Sequence, residues 1–273
     1  MTGDASRFPE PGVQRIGMLN WYGTRTLYLK EVRRFLKVHT QTIWAPAVTT
    51  LLFLVIFTVA LGRGGQTILG VPFATFLSPG LIAMAMVQNA FANTSSSLMI
   101  GKVQGTIVDI LMPPLSPGEL LLGYVGGGVT RAFAVGAAVW LAIALWPGAD
   151  ATIRAPWAVL YFGLMGSILL SLLGILTGIW AEKFDHTAAI TNFVIQPLSL
   201  LSGTFYTLDR LGGIWSTVSH INPFFFIIDG FRYGFLGIAD GPLAWGALYL
   251  LAINAALGAV TYAVLRTGWR LKA

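Results

Sequence analysis

The sequence predicts an all-α membrane protein of six transmembrane helices, with an amphipathic interfacial helix before the first and re-entrant helices between the fifth and sixth. Three observations carry this. The 273 residues are 55% hydrophobic and only 10% charged, where a soluble domain carries about a quarter charged residues. Apolar stretches recur at intervals, each close to the roughly 20 residues that cross about 30 Å of hydrocarbon as a helix. Lysines and arginines lie between and beside these stretches and not on one polar face, so the net charge of +6 reads as membrane topology and not as a nucleic-acid surface.

Residues 1–20 hold Pro9, Pro11 and Gly12 with little periodicity, which predicts a flexible cytosolic tail. The first 40 residues lack the short apolar core of a cleavable signal peptide, so the first span is expected to act as an uncleaved insertion signal. Over residues 21–42, Trp21, Leu27, Tyr28, Val32, Phe35, Leu36 and His39 recur near helical spacing with Arg25, Lys30, Arg33, Arg34 and Lys37 between them. That pattern predicts a basic amphipathic helix lying in the membrane interface.

Residues 43–273 then form the membrane domain. Its spans are expected at Ile43–Leu61, Phe73–Ser97, Gly118–Trp146, Trp157–Ala181, Ala188–Tyr206 and Leu243–Leu265. Thr207–Gly241 is too apolar for a free loop yet is broken by Gly212, Gly213, Pro223, Asp229 and Gly237. Irregular backbone at membrane depth requires protein or a wet cavity around it, so one or two re-entrant helices are expected there. An even number of spans puts both termini on one side. Lysine and arginine divide 12 against 4 between the two sides, with Arg131 inside a span, which places both ends in the cytoplasm.

Each way of powering transport leaves its own residues. Gly101-Lys102 is the only Gly-Lys pair, and with Ser96 before it and Val103 after it no G-x-x-x-x-G-K-[ST] phosphate loop is present, so this chain has no such site for ATP. Asp109, Glu119, Glu182 and Asp185 fall near span ends or in loops, which disfavours proton or sodium coupling through a mid-span acid. Cysteine is absent, and His39, His186 and His220 are dispersed, so neither a metal site nor a catalytic dyad is expected. Ser202-Gly203 has Leu200 where an intramembrane serine protease would place its leading glycine. A passive pore or scaffold, a membrane enzyme, or a permease driven by a separate ATPase remain.

Several features could carry chemistry. The loop Leu98 to Pro114, cytosolic on this topology, reads either as an amphipathic connector or as a short interfacial helix that docks on a motor. Arg131 near mid-span costs about 2.5 kcal/mol or more on insertion scales unless it faces protein or water. It either attracts a phosphate or other anionic group or is hydrogen-bonded between helices by Gln88, Asn89 or Asn93. Gly123 and Gly127, like Gly174 and Gly178, are four apart, a spacing that lets helices approach closely. The aromatic residues from Phe205 to Phe235 read first as interfacial anchors.

Ser78-Pro-Gly-Leu-Ile82, Asn89-Ala-Phe-Ala-Asn-Thr-Ser-Ser96, Gly123-Tyr-Val-Gly-Gly-Gly-Val-Thr-Arg131, Gly203-Thr-Phe-Tyr206 and Asn222-Pro223 followed by Asp229-Gly-Phe-Arg-Tyr-Gly-Phe-Leu-Gly237 resemble the inner-membrane permeases of the YadH type within the ABC-2 superfamily, in order from about Trp21 to the C-terminus. The resemblance implies the type V exporter fold, a homodimer of six-span subunits in a bacterial inner membrane, and two copies of a cytosolic ABC ATPase that bind ATP and magnesium while this chain binds no cofactor. It implies ATPase coupling through Lys102, Val103, Gln104, Gly105, Thr106 and Asp109, through Arg33 and Arg34 of the interfacial helix, and through Glu182 and Asp185. An amphipathic cargo, a lipid, lipid-linked glycan or hydrophobic drug, would then pass Arg131, Gln88, Asn89, Asn93 and Tyr124, with membrane lipid as a further partner.

Overall fold

A computed structural model describes residues 19–60, 65–206 and 221–271. Nearly all of the expected tail, and the first part of the expected re-entrant segment, 207–220, lie outside the described residues.

Helix α1 (Trp21–Lys37) starts where the Asn20 side chain accepts from the Gly23 N–H at 2.9 Å, and it ends on Arg34 and Lys37, cations that suit a helix C-terminus. The first span, Thr40–Ala60, follows directly and is α-helical over Ala45–Val55 (α2). Wider turns flank that stretch, the Ala45 N–H reaching back five residues to the Thr40 carbonyl. A two-residue antiparallel ladder, β1 (Thr67–Ile68) with β2 (Val71–Pro72), turns the chain through Leu69 and Gly70 into α3 (Phe73–Val103).

Helix α3 is the axis of the molecule, and the helices Pro117–Ala144, Pro156–Trp180 and Pro223–Leu236 pack around it. Of the five helices among the described residues that are long and apolar enough to cross a membrane, it is the most enclosed. Its C-terminal end runs past the expected Ser97 to Val103, so Lys102 belongs to the span and only Ile107–Leu111 (α4) forms the short helix beyond it. Helix α5 (Pro117–Ala144) opens with a reciprocal cap. The Glu119 N–H donates to Ser116 Oγ at 3.3 Å and the Ser116 N–H to Glu119 Oε2 at 2.7 Å. Glu119 also accepts from the Asn20 N–H, which ties the start of α1 to the start of α5.

Helix α6 (Pro156–Trp180) packs along α3, where Gly174 and Gly178 leave room for Phe91, Thr94 and Leu98. Next, α7 (Phe184–Ile190) and α8 (Gln196–Leu200) are joined through a wide turn, Thr191–Ile195, into one helix from Phe184 to Leu200. This helix occupies the expected fifth span but starts earlier and stops earlier. At about 1.5 Å per residue it covers about 25 Å, less than the hydrocarbon thickness, because the chain leaves helical geometry at Leu201 and Gly203 takes φ of 74°. Helices α9 (Pro223–Leu236) and α10 (Leu243–Thr267) complete the fold, each closed by a left-handed glycine, Gly237 and Gly268.

Candidate functional site

The sequence pattern puts Thr24, Leu27, Glu31 and Phe35 on one stripe of α1, and the structure buries all four. The stripe lies against α5: Leu27 fits over Gly123, where an added Cβ would fall 2.6 Å from Leu27 Cδ2, and Glu31 sits over Gly127. Tyr28 continues the seam, its hydroxyl 3.0 Å from Thr130 Oγ1. The pairs advance together along both chains, so α1 climbs beside the opening turns of α5.

Glu31 is 0% exposed and is the hub of a polar cluster. Its Oε1 accepts from Ser97 Oγ at 2.7 Å and Lys30 Nζ at 3.2 Å, and its Oε2 accepts from Arg34 Nη2 at 3.1 Å and Nε at 3.3 Å. Arg34 extends the cluster into α3, donating from Nη2 to the Asn93 carbonyl at 2.6 Å and Asn93 Oδ1 at 3.0 Å, and from Nη1 to Ser96 Oγ at 3.1 Å. Glu31, Ser96 and Ser97 were not among the residues singled out from the sequence. The signal for Glu31 was there: an acid in register with Thr24, Leu27 and Phe35 on an otherwise basic helix.

Arg131 sits further along the same face of α5 and donates from Nη2 to Asn89 Oδ1 at 2.8 Å, while Asn89 Nδ2 donates to the Ala85 carbonyl at 2.9 Å. No described carboxylate lies within ion-pairing distance of Arg131. Gln88 Nε2, Asn93 Nδ2, Tyr124 hydroxyl and Arg131 Nε are buried atoms that hydrogen-bond to nothing among the described residues. Gln88 and Asn89 also open on a groove of about 320 Å³ between the first span and α3, lined by Gln41, Thr49, Thr50 and Phe53. Of the five residues named for a cargo path, Arg131 meets Asn89 directly, Gln88 shares the groove with Asn89, Asn93 is held by Arg34, and Tyr124 bonds to none of them, which leaves unspent donors and one positive charge with no described counter-charge beside it. Such a set suits an acceptor-rich group.

The residues named for coupling divide. Lys102 Nζ donates to the Ile179 carbonyl at 2.8 Å, the Ala181 carbonyl at 2.5 Å and, more weakly, the Gly178 carbonyl at 3.5 Å, so it closes the C-terminus of α6. Val103, Gln104, Gly105, Thr106 and Asp109 are exposed, as are Arg33, Glu182 and Asp185. By capping α6, Lys102 sets the Val103–Asp109 turn beside the Glu182–Asp185 turn. Glu182 Oε1 lies 3.5 Å from Arg270 Nη1, which brings the end of α10 to the same surface.

At the opposite end of the bundle Arg232 is 1% exposed. Its guanidinium lies 4.1 Å over the Phe76 ring, donates to the Gly203 carbonyl at 2.5 Å, and stands 3.6 Å from Asp240 and 4.0 Å from Asp229. Asp229 also accepts from the N–H groups of Asp240 at 2.8 Å and Gly241 at 3.0 Å. Burial pushes the Asp229 carboxyl above the usual carboxylate range, against the pull of those N–H groups and of Arg232. This cluster joins α9, α3, the turn after α8 and the turn before α10. Arg232, one of the four cations counted from the sequence on the outer side, is a buried structural charge, and the signal was its spacing of three from Asp229 within an apolar helix.

Comparison with known proteins places this geometry. The family model for the ABC-2 type transporter matches residues 22–236. The chain is 35% identical over 254 residues to the inner membrane transport permease YadH of Escherichia coli (strain K12), covering 93% of this chain and 98% of that protein. It is 27% identical over 185 residues to nodulation protein J of Rhizobium meliloti (strain 1021), covering 67% of this chain and 69% of that protein. With its apolar helices packed around α3, the chain belongs to the ABC-2 type transporter family, as a multi-pass transmembrane subunit of the inner-membrane permease class.

Proposed function

We propose that this chain is the permease half of an ATP-driven exporter, working as a homodimer energised by two copies of a separate cytosolic ABC ATPase. ATP and magnesium are bound by that partner and no cofactor by this chain. The observation that carries the reading is the bond from Arg34 to Asn93, which makes α1 and the central span a single mechanical unit. ATPase closure presses on the exposed Val103–Asp109 turn, on Arg33, and on the Glu182–Asp185 turn. Helix α1 then moves with α3 through Glu31 and Arg34, and because the first span continues α1 directly, the groove lined by Gln88 and Asn89 changes shape. An amphipathic cargo, such as a lipid, lipid-linked glycan or hydrophobic drug, moves outward with its polar part passing Asn89 and Arg131.

In this reading the chain crosses six times. The helix from Phe184, with the apolar turn through Tyr206, completes the fifth crossing, and α9 is a re-entrant helix on the outer side. The arginine and lysine asymmetry supports both termini in the cytoplasm, with α1 as the interfacial helix and the transport domain beginning at the first span, Thr40, a few residues before the expected boundary at residue 43.

Co-expression with candidate ABC ATPases and reconstitution into inverted vesicles tests this. A stable complex and export that requires hydrolysable ATP are expected. Absence of any complex, or conductance that ignores ATP, refutes the reading in favour of a channel or scaffold.

A further inference from the structure

We propose that the groove between α1 and α5 is a binding site for an anionic phospholipid of the leaflet in which α1 lies. The groove measures about 430 Å³ and is lined by Trp21, Thr24, Arg25, Tyr28, Leu29 and Leu122. None of these residues belongs to the Glu31 cluster or to the residues named for the cargo path, so the groove is separate from both.

Charge and depth choose the occupant. Lys30 and Arg34 are spent on Glu31, whereas Arg25 is exposed and meets no described carboxylate. Its level along the membrane normal follows from its neighbours. Gly23 lies against Leu115, just before α5 begins, and Leu27 lies over Gly123, so Arg25 stands at the opening turns of the span, where headgroups lie. A guanidinium there binds a phosphate diester through a planar fork. Trp21, 62% exposed, and Tyr28 flank it as amphipathic rings do at a membrane surface. Leu29 and Leu122, the latter 56% exposed, continue inward as an apolar floor for the first carbons of an acyl chain. A zwitterionic lipid would bring a second cation towards Arg25.

The consequence is a lipid that holds α1 against α5 and so sets the position of Glu31 and Arg34. The purified full chain in detergent, incubated with equal amounts of phosphatidylglycerol and phosphatidylcholine and analysed by native mass spectrometry, tests the site without reference to transport or orientation. Wild type is expected to retain phosphatidylglycerol preferentially. Arg25→Gln, at an exposed position that leaves helix content by circular dichroism unchanged, is expected to lower that retention about fivefold, and Arg25→Lys to restore part of it. Lys37→Gln, the same charge change on the same helix outside the groove, is expected to behave as wild type. Equal retention of the two lipids by wild type, no loss in Arg25→Gln, or an equal loss in Lys37→Gln overturns the proposal, the last by showing diffuse attraction to a basic helix.

Discussion

Arg34 in the helix before the first span donates to the side-chain oxygen of Asn93 in the second span at 3.0 Å, so a residue named for ATPase coupling and one named for the cargo path are in direct contact. Its bond to Glu31 on the other side completes a bridge between α1 and α3.

Asn93→Ala removes one of the three bonds by which Arg34 reaches α3, leaving those to the Asn93 carbonyl and Ser96 Oγ, without touching the cytosolic surface. A hydrogen bond to a charged group is worth about 2 kcal/mol, so ATP-driven transport in proteoliposomes is expected to fall, by up to about thirtyfold, with co-purification of the ATPase unchanged. Transport at the wild-type rate removes the Asn93 side chain from the mechanism.

Glu31→Ala leaves Arg34, itself partly exposed, without its carboxylate and is expected to cost about 2 kcal/mol, as loss of a charge-assisted hydrogen-bond partner does. Thermal unfolding in detergent should show a lowered midpoint, and the double variant Glu31→Ala with Arg34→Met should recover part of it. If the two changes add with no recovery, the pair is not coupled in the folded protein.

Lys102 and Asp109 are expected to behave differently although both are in the loop region named for coupling. Lys102→Met removes the cap of α6 and lowers stability by about 1 kcal/mol, with the ATPase still bound. Asp109→Lys, on an exposed turn, is expected to leave the melting midpoint unchanged and to abolish co-purification of the ATPase. The reverse pattern in a pull-down would assign the contact to Lys102.

Arg131→Gln keeps a hydrogen-bonding group near Asn89 but removes the charge. Membrane insertion should be as efficient or better, since arginine at mid-span is the costlier residue by about 2 kcal/mol, while export is expected to drop at least about tenfold. Unimpaired export at equal expression would make Arg131 a packing residue only.

Span positions were legible because they depend on what the bilayer demands of any helix. The helices at Phe73, Pro117, Pro156 and Leu243 begin within a residue of the expected starts. The ends were less legible. The expected fifth span ran to Tyr206, but hydropathy does not register that Gly203 takes a left-handed conformation, and the helix stops at Leu200. The candidate site was legible in part. Arg131, Asn89 and Asn93 stand out as polar residues in apolar stretches, whereas Lys102 and Glu31 lie near a span end or beside other charges, and Arg232 shows itself only through its spacing of three from Asp229.

The sequence by itself determined that this chain lives in a bilayer, where its helices lie, and, through its uncommon motifs, its family. Those properties follow from composition and local spacing. Only the tertiary structure decided how the charges are used: Arg34 on Asn93, Lys102 on the end of α6, Arg232 beneath Phe76. These are contacts across about 60 to 160 positions of chain, set by which helix faces meet around α3, and no local pattern encodes which distant partner a charge will find.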